Sequence, residues 1–570
     1  MRLLWSGVLL TLSVCVRAAT GDNLDVCLKD LGCLRGTQMP GYQGDEFEAF
    51  LGIPFAQPPV DSLRLRNPVP AVAWEGILDA GTAKDSCLQR NYLAANWPVS
   101  GVEDCLYLNV YRPKKRNGNP LPVMFYMHSG GFHTGSAHPV ASGPEYLMDT
   151  EQVIMVTVPY RLGPFGFLST GDTSMPGNFA LKDQRLAMQW VQQHIADFGG
   201  DPQLVTIFGH SAGGMSAHYH MLSPSSKGLF HRAMSLDGTI LSPFVKINKD
   251  PLAQARKLAA VAGIEGSKDL NSKDLAQALR ELDPIRLLTA VDSLKVWHNF
   301  PFVCNPPVVE PVGCPEAFLT EDPVQAHLEG RIHQVPWLLG VNSRAGEGSL
   351  VTLLPFEDRH LRAELNERFL ERFSHIIYLP EGTSSHVVRE ILDAYGFEGE
   401  TISNYTLVPL AEISGDFGFY YPLYETASTY AKYANLQENP LSFYFFEYRG
   451  LRTLSTLFSG GSVEYGVGAA HMDDALHTIR IPAIVEDYPK DSEDAGVVKR
   501  MTSMMLHDAL LFFRIFHSGT SCQASDFTDH EMCSYVHFGG TIGSYQEDIQ
   551  KDRKMAGYAI WKRLFFRDSD

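Results

Sequence analysis

The chain has 570 residues, with 65 acidic and 47 basic side chains, a formal net charge of −18 and 45% hydrophobic residues. The negative charge disfavours nucleic acids and anionic membrane surfaces as partners. The hydrophobic content and the 20% of charged residues describe an ordinary globular protein. The length exceeds that of a single small domain, but large α/β enzymes reach it around one sheet.

The first residues resemble a targeting segment. Arg2 supplies a positive charge, residues 3–16 are apolar, and small residues follow them. The apolar stretch is too short for a comfortable membrane span, and residues 561–570 carry neither a hydrophobic tail nor a retention tetrapeptide. We therefore expect a signal peptide at 1–19, one domain at 20–570 without repeats or linkers, and secretion to the extracellular space without a membrane anchor.

Cysteine usage agrees with an oxidising compartment. Cys15 lies in the predicted signal peptide, and eight cysteines remain. An even number in a secreted protein implies disulfides, although spacing alone proves no single pairing. Neighbours in sequence suggest Cys27–Cys33, Cys87–Cys105, Cys304–Cys314 and Cys522–Cys533. Metal ligation is the weaker alternative, because there is no C-x-x-C and no histidine pair sits beside the cysteines at zinc spacing, so we expect no metal. Asn404 begins a glycosylation sequon.

Strand and helix patterns alternate through the first half of the chain. A hairpin is predicted at 26–36, strands at 103–111, 121–128, 153–158 and 204–208, and helices at 178–197 and 215–222. This alternation indicates an α/β fold with a large, mostly parallel sheet covered by helices on both faces. In the second half we expect helices at 250–288, 369–433 and 499–517, strands at 335–341 and 441–448, and a helical cap formed by 369–433.

The most informative stretch is Gly209-His210-Ser211-Ala212-Gly213, a G-x-S-x-G pattern between a predicted strand and a predicted helix. A nucleophile at a sharp strand-to-helix turn needs small neighbours, because the backbone there is strained and tightly packed. The start of the helix supplies free N–H groups and a positive dipole end that stabilise an oxyanion. The pattern also occurs by chance in loops, but its flanking elements favour the catalytic interpretation.

Other residues fit the same chemistry. Serine is a poor nucleophile at neutral pH and needs a base, which in turn needs an acid to orient it. Ser211, Glu347 and His471 occur in the order nucleophile, acid and base, each after a predicted strand. Gly130 and Gly131 follow the strand at 121–128; they could form a simple turn, but the functional interpretation is that their N–H groups point into the site.

Longer motifs make the chain resemble the type-B carboxylesterase/cholinesterase family, with a spacing most like secreted insect esterases. The matches are residues 198–213, residues 103–110, Asp183-Gln184 and Gly468-x-x-His471-x-x-Asp474. The resemblance implies an α/β-hydrolase fold and ester hydrolysis without a cofactor. It also implies Ser211 as nucleophile, His471 as base, Glu347 as acid, the N–H groups of Gly130, Gly131 and Ala212 as oxyanion donors, and a Cys87–Cys105 disulfide.

Three positions depart from the family pattern. Glu347 lies further behind its strand than the family's acid usually does. Asp237 stands where the family often has serine, and a carboxylate there either shifts the pKa values of the triad or is simply solvated or hydrogen-bonded. His210 precedes the nucleophile where cholinesterases carry Glu and juvenile hormone esterases typically carry Gln. His210 and the stretch from Cys87 to Cys105, which is shorter than in cholinesterases, argue against acetylcholine as substrate, although Trp97 in that stretch could be mistaken for part of a choline site.

The sequence thus predicts a secreted serine carboxylesterase that acts on small, neutral and fairly apolar esters. A dedicated juvenile hormone, pheromone or odorant esterase is the first alternative, and lipase action is a weaker one because no extended lid is identifiable. A non-catalytic adhesion relative is the alternative of another class, but such relatives lack the serine or the histidine, and this chain has both. The sequence leaves the oligomeric state open.

Overall fold

The computed structural model describes residues 24–92, 96, 98–115, 118–346, 358–379, 382–403, 406–458, 468–510, 522–527, 533–550, 555 and 557–565. The predicted signal peptide, Trp97, Asn404 and Glu347 lie outside these residues. Among the residues described, eleven strands form one mixed sheet. Their spatial order is Gln546–Gln550, Tyr535–Gly539, Leu441–Phe446, Trp337–Asn342, Arg232–Leu236, Gly200–His210, Leu121–Met127, Ile154–Val158, Tyr107–Pro113, Glu46–Pro54 and Thr37–Pro40.

The central part of this sheet is parallel. Each neighbouring pair from Tyr535–Gly539 to Ile154–Val158 runs in the same direction, which confirms the predicted sheet type. The remaining strands join the two edges by antiparallel pairing. Two smaller sheets flank it: the predicted hairpin Asp25–Leu28 and Gly32–Arg35 with Ile77–Asp79, and the pair Gln89–Arg90 and Val99–Ser100.

Both faces of the sheet are buried, as the strand Leu121–Met127 illustrates. Val123 and Phe125 point into one hydrophobic cluster, and Met124 and Tyr126 point into another on the opposite face. Successive side chains of a strand alternate between faces, so a continuously apolar strand needs cover on both sides. The first cluster is completed by residues of helix Phe179–His194 and the second by residues of helix Glu493–Leu510.

The helices broadly follow the predicted pattern. The longer α-helices are Phe179–His194, Ala212–Leu222, Pro251–Val261, Ser272–Glu281, Pro284–Ala290, Arg359–Glu367, Phe369–Ile376, Ser385–Ala394, Leu407–Gly415, Tyr421–Tyr433, Glu493–Leu510 and Tyr558–Phe565. A π-helical turn, Asp416–Tyr420, joins two helices of the predicted cap. Within the described ranges, no helix is both long enough and apolar enough to cross a membrane.

Several strands were not predicted, among them Glu46–Pro54, Arg232–Leu236 and Tyr535–Gly539. Glu46–Pro54 is almost continuously buried, and its pattern therefore lacks the alternation that marks a half-exposed strand. Arg232–Leu236 has five residues and only mixed apolar character, and one of its two neighbouring strands, Trp337–Asn342, is distant in sequence.

The cysteine pairing corrects one prediction. Disulfides join Cys27 to Cys33, Cys87 to Cys105 and Cys522 to Cys533, as expected. The predicted Cys304–Cys314 bond is wrong, because both thiols are free and buried. Cys304 packs with the cluster of helices 251–290, where burial raises the pKa of its thiol. Cys314 instead lies near the buried Lys182–Glu310 ion pair, so proximity in sequence does not bring the two sulfurs together.

Candidate active site

The site forms where neighbouring parallel strands end. His210 pairs with Leu236, and Leu236 pairs with Gly340 in the next strand. Ser211 and Asp237 are thus the next residues at the carboxyl ends of two adjacent strands. Polar groups gathered at this edge of a parallel sheet are the usual basis of an α/β active site.

Ser211 occupies a strained turn. Its φ is 53° and its ψ is −120°, and helix Ala212–Leu222 begins at the following residue. A Cβ on Gly209 or Gly213 would lie 2.3 or 2.1 Å from the carbonyl oxygen of Met127. Any larger residue at either position would therefore collide with the neighbouring strand. The two glycines let the turn pack closely enough to present Ser211 at the sheet edge.

His471 lies between the serine and a carboxylate. Its Nε2 is 3.0 Å from Ser211 Oγ, and its Nδ1 is 2.5 Å from Asp237 Oδ2. Asp237 has no exposed surface, whereas 18% of the His471 side chain is exposed. A carboxylate only accepts hydrogen bonds, so Nδ1 carries the proton in the neutral ring and Nε2 is left to accept the Ser211 proton.

Asp237 is held by further N–H groups. Its Oδ2 accepts hydrogen bonds from Asn342 Nδ2 at 2.9 Å and from the Met472 backbone at 3.2 Å. Its Oδ1 faces the Asn342 backbone N–H at 3.3 Å. The other proton of the Asn342 amide goes to Asp474 Oδ1 at 2.9 Å, and Tyr444 donates to the second oxygen of Asp474. One amide thereby fixes two buried carboxylates.

His210 belongs to this buried network but does not contact the serine hydroxyl. Its Nε2 is 3.0 Å from Thr478 Oγ1 and 3.9 Å from Asp474 Oδ2. Burial lowers the pKa of His210, although Asp474 and Asp237 act in the opposite direction. Burial thus disfavours the protonated ring. His210 is the last residue of the nucleophile strand, where it adds a polar group to the buried network.

The glycine loop lies beside the nucleophile turn. Gly130 and Gly131 have φ values of 113° and 62°, which side-chain-bearing residues rarely adopt. A Cβ on Gly213, in the first turn of the helix, would be 3.3 Å from the carbonyl oxygen of His128. The loop and the start of the helix are thus neighbours, as backbone donors to a single oxyanion must be.

Aromatic side chains connect the base to this loop. The rings of Phe419 and His471 have centroids 4.3 Å apart, and Phe244 lies 5.5 Å from Phe419 and 6.5 Å from Phe302. A Cβ on Gly131 would be 2.4 Å from Phe302 Cε1, so this ring lies directly against the loop. Phe244 and Phe302 are only half-buried. An apolar wall therefore extends from His471 to Gly131.

The arrangement suits nucleophilic catalysis by serine. A buried carboxylate, an imidazole and a hydroxyl lie in a row in space. This geometry lets the imidazole remove the proton from serine as the serine attacks. In the part of the chain that the structure describes, no three His, Cys, Asp or Glu side chains converge closely enough to hold a metal ion.

Comparison with known proteins shows the family. Residues 23–509 match the model of the carboxylesterase family. The chain belongs to the carboxylesterase family. It is a carboxylic ester hydrolase with the α/β-hydrolase fold, as its sequence motifs had indicated.

Similar proteins come from insects. The juvenile hormone esterase of Tribolium castaneum is 32% identical over 91% of this chain and 90% of its own length. A carboxylic ester hydrolase of Bombus ignitus is 36% identical over 78% of each chain. Among solved structures, the juvenile hormone esterase of Manduca sexta with OTFP covalently attached has a TM-score of 0.77 and 25% identity, and the match covers 96% of this carboxylesterase and 99% of that chain.

The structure brings most of the site residues predicted from the sequence together, and one of them lies outside the described residues. Ser211 and His471 come together, and Gly130, Gly131 and Ala212 lie around the nucleophile turn. Glu347 lies outside the described residues, and the carboxylate that contacts His471 Nδ1 is Asp237.

Asp237 stood out in the sequence only as a departure from the family pattern, and no contact to the base was predicted for it. Its burial excludes the solvated interpretation. The available signal was a short, mostly apolar stretch, Ala233 to Leu236, that is followed by the polar Asp237, as the nucleophile strand is followed by Ser211. Asn342, which ends its own strand, was missed for lack of any motif.

Proposed function

We propose that this carboxylesterase is a secreted enzyme that hydrolyses neutral, fairly apolar esters through an acyl-serine intermediate. The 3.0 Å contact between Ser211 Oγ and His471 Nε2 carries the proposal. As Ser211 Oγ bonds to the carbonyl carbon of the ester, its proton moves to His471 Nε2. Collapse of the tetrahedral intermediate breaks the bond to the alcohol oxygen, which takes the proton from Nε2.

Water completes the cycle at the acyl-serine. It adds to the acyl carbon as His471 Nε2 takes one of its protons, and collapse then releases the carboxylic acid and returns that proton to Ser211 Oγ. The N–H groups of Gly130, Gly131 and Ala212 stabilise the negative oxygen in both tetrahedral intermediates. Their arrangement around the turn supports this role, since donors to an oxyanion must be in place before it forms.

The preference for apolar esters rests on the aromatic wall. Phe244, Phe302 and Phe419 present rings between the base and the glycine loop, and the first two keep part of their surface accessible. Apolar substrate groups that cover this surface remove apolar area from water, which makes their binding more favourable. The negative charge of the protein also disfavours anionic esters. Secretion is supported by the predicted leader at 1–19 and by the three disulfides.

Hydrolysis of 4-nitrophenyl acetate and butyrate by the secreted protein tests the activity. We expect turnover by the wild type and a loss of about 10⁶-fold in kcat in Ser211→Ala, as for the nucleophile of other serine hydrolases. Ser225→Ala, outside the site, is the control. Equal rates for wild type and Ser211→Ala would overturn the proposal, as would faster hydrolysis of the anionic 4-nitrophenyl succinate. A folded but inactive wild type would favour the alternative that this chain is a non-catalytic adhesion relative of the family.

A dedicated juvenile hormone esterase is the second candidate. The juvenile hormone esterase of Tribolium castaneum, which matches over 91% of this chain, favours it, while His210 departs from the residue typical of those enzymes. A kcat/KM for juvenile hormone well above that for 4-nitrophenyl butyrate would support this narrower function. A kcat/KM for juvenile hormone at or below that for 4-nitrophenyl butyrate would support a general esterase instead.

A further inference from the structure

We propose that Asp237 is the acid of this serine esterase: the carboxylate that orients His471 and stabilises its protonated ring. The resemblance to the family gives this role to Glu347. The inference rests on the proposed function and deepens it. Its basis is the position of Asp237 Oδ2, 2.5 Å from His471 Nδ1 on the side of the ring opposite to Ser211.

The register of the sheet explains why Asp237 reaches this point. Ser211 and Asp237 follow the paired residues His210 and Leu236, so they leave two adjacent strands at the same level. Both have positive φ values, 53° and 51°. Aspartate tolerates this backbone conformation better than most residues, and its short side chain needs no extra loop to reach the histidine.

The chain after Asp237 stays against the nucleophile. The Ser211 N–H donates to the carbonyl oxygen of Leu236 at 2.8 Å, and a Cβ on Gly238 would lie 2.3 Å from the carbonyl oxygen of Ser211. These backbone contacts fix Asp237 relative to Ser211 through neighbouring strands. A rigid element positions a side chain more accurately than a long loop does.

The hydrogen bonds around Asp237 suit an ionised carboxylate. Four N–H groups face its two oxygens: His471 Nδ1, Asn342 Nδ2, the Asn342 backbone and the Met472 backbone. A carboxylate accepts all of them, whereas a protonated acid would direct a proton at one. Asp237 can therefore keep its negative charge in the interior and stabilise the imidazolium that forms when His471 takes the serine proton.

Paired substitutions separate the two carboxylates. In Asp237→Asn the amide cannot balance the imidazolium charge and can hold the ring in the wrong tautomer, so kcat should fall about 10³- to 10⁴-fold with KM nearly unchanged. The fall in kcat of Glu347→Gln should be at least about 100-fold smaller than the fall in kcat of Asp237→Asn. Asp237→Glu, which keeps the charge, should recover part of the rate. Asp548→Asn removes a carboxylate from His537, outside the site, and serves as the matched control.

A second measurement does not depend on turnover. The proton on His471 Nδ1 should give a far-downfield ¹H NMR resonance, because it is shared with a buried carboxylate. Its absence from His471→Gln identifies it. The resonance should persist in Glu347→Gln and shift or vanish in Asp237→Asn. This pattern distinguishes a positioning role from a general effect on folding.

The proposal is overturned if Glu347→Gln loses as much activity as Asp237→Asn or more, or if the resonance depends on Glu347. Failure of the proposed function has a different signature. In that case the wild type shows no hydrolysis that depends on Ser211, while the resonance still reports whether Asp237 holds His471.

Discussion

Two histidines of this carboxylesterase, His471 and His537, contact carboxylates in contrasting settings. His471 uses Nδ1 for Asp237 and directs Nε2 at Ser211. His537 has carboxylates on both sides, with Asp548 at 2.9 Å from Nδ1 and Glu447 at 2.9 Å from Nε2. The two carboxylates raise the pKa of His537 and favour the protonated ring, which donates from both nitrogens and has no acceptor left, while Gln550 Nε2 also lies 2.8 Å from Nδ1. His471 keeps one nitrogen free to accept a proton, and His537 does not.

The carboxylates differ as much as the rings. Asp237 is fully buried, whereas the side chains of Glu447 and Asp548 are 42% and 54% exposed. Water screens an exposed charge and weakens its influence on a neighbour. The contact between histidine and carboxylate is therefore not distinctive by itself. What makes His471 suitable as a base is a buried partner on one nitrogen and a hydroxyl on the other.

The largest expected effect tests this contrast directly. His471→Gln removes the base and should lower kcat by about 10⁶-fold, as in other serine hydrolases. His537→Gln should leave kcat unchanged, because the described hydrogen bonds of His537 go to Glu447, Asp548 and Gln550, which do not contact Ser211 or His471. Both are measured on 4-nitrophenyl butyrate with secreted protein of verified thermal midpoint. Comparable losses in the two variants would contradict the distinction drawn between the two histidines.

The sequence predicted the parts of this site that short motifs determine. Ser211 and its glycines lie within one strand–turn–helix segment, so local pattern is sufficient to recognise them. His471 was found through its own surrounding residues. The sheet type followed from the alternation of strands and helices, although edge strands such as Gln546–Gln550 were missed.

Contacts between segments that are distant in sequence could not be predicted from short motifs. Asp237 meets His471 across 234 positions of sequence, and Asn342 meets Asp474 across 132. Both contacts depend on the order of strands in the sheet, which local periodicity does not encode. Phe419 is similar, because it reaches His471 from a π-helical turn of the cap. Glu347 was predicted from the order of the three residues and from its place after a predicted strand, and its role remains a prediction.

A smaller effect concerns the amides that support each carboxylate. Asn342 holds Asp237, and Gln550 holds Asp548 with its Nε2 at 3.2 and 3.3 Å from the two oxygens. In Asn342→Ala, Asp237 loses a donor and shifts, and a misplacement on the scale of 1 Å costs about 10²-fold in rate. We expect this loss in kcat with KM nearly unchanged, and no loss in Gln550→Ala. An Asn342→Ala enzyme with wild-type kcat would show that the amide is dispensable for positioning.

The smallest effect should appear in stability rather than in rate. The hydrogen bond to Glu447, with that to Asp548, raises the pKa of His537 above its ordinary value. The resulting stabilisation is complete below the unfolded-state pKa of about 6.5 and is lost as the pH rises through the folded-state value. His537→Gln should therefore lower the free energy of unfolding more at pH 5.5 than at pH 8.5.

Because both carboxylates are well exposed, the pH-dependent part of this destabilisation should stay below about 1 kcal/mol. Urea unfolding at the two pH values measures it, with the exposed His375→Gln as control. A destabilisation that is the same at both pH values would mean that His537 contributes only packing, and that the two carboxylates around it do not hold its charge.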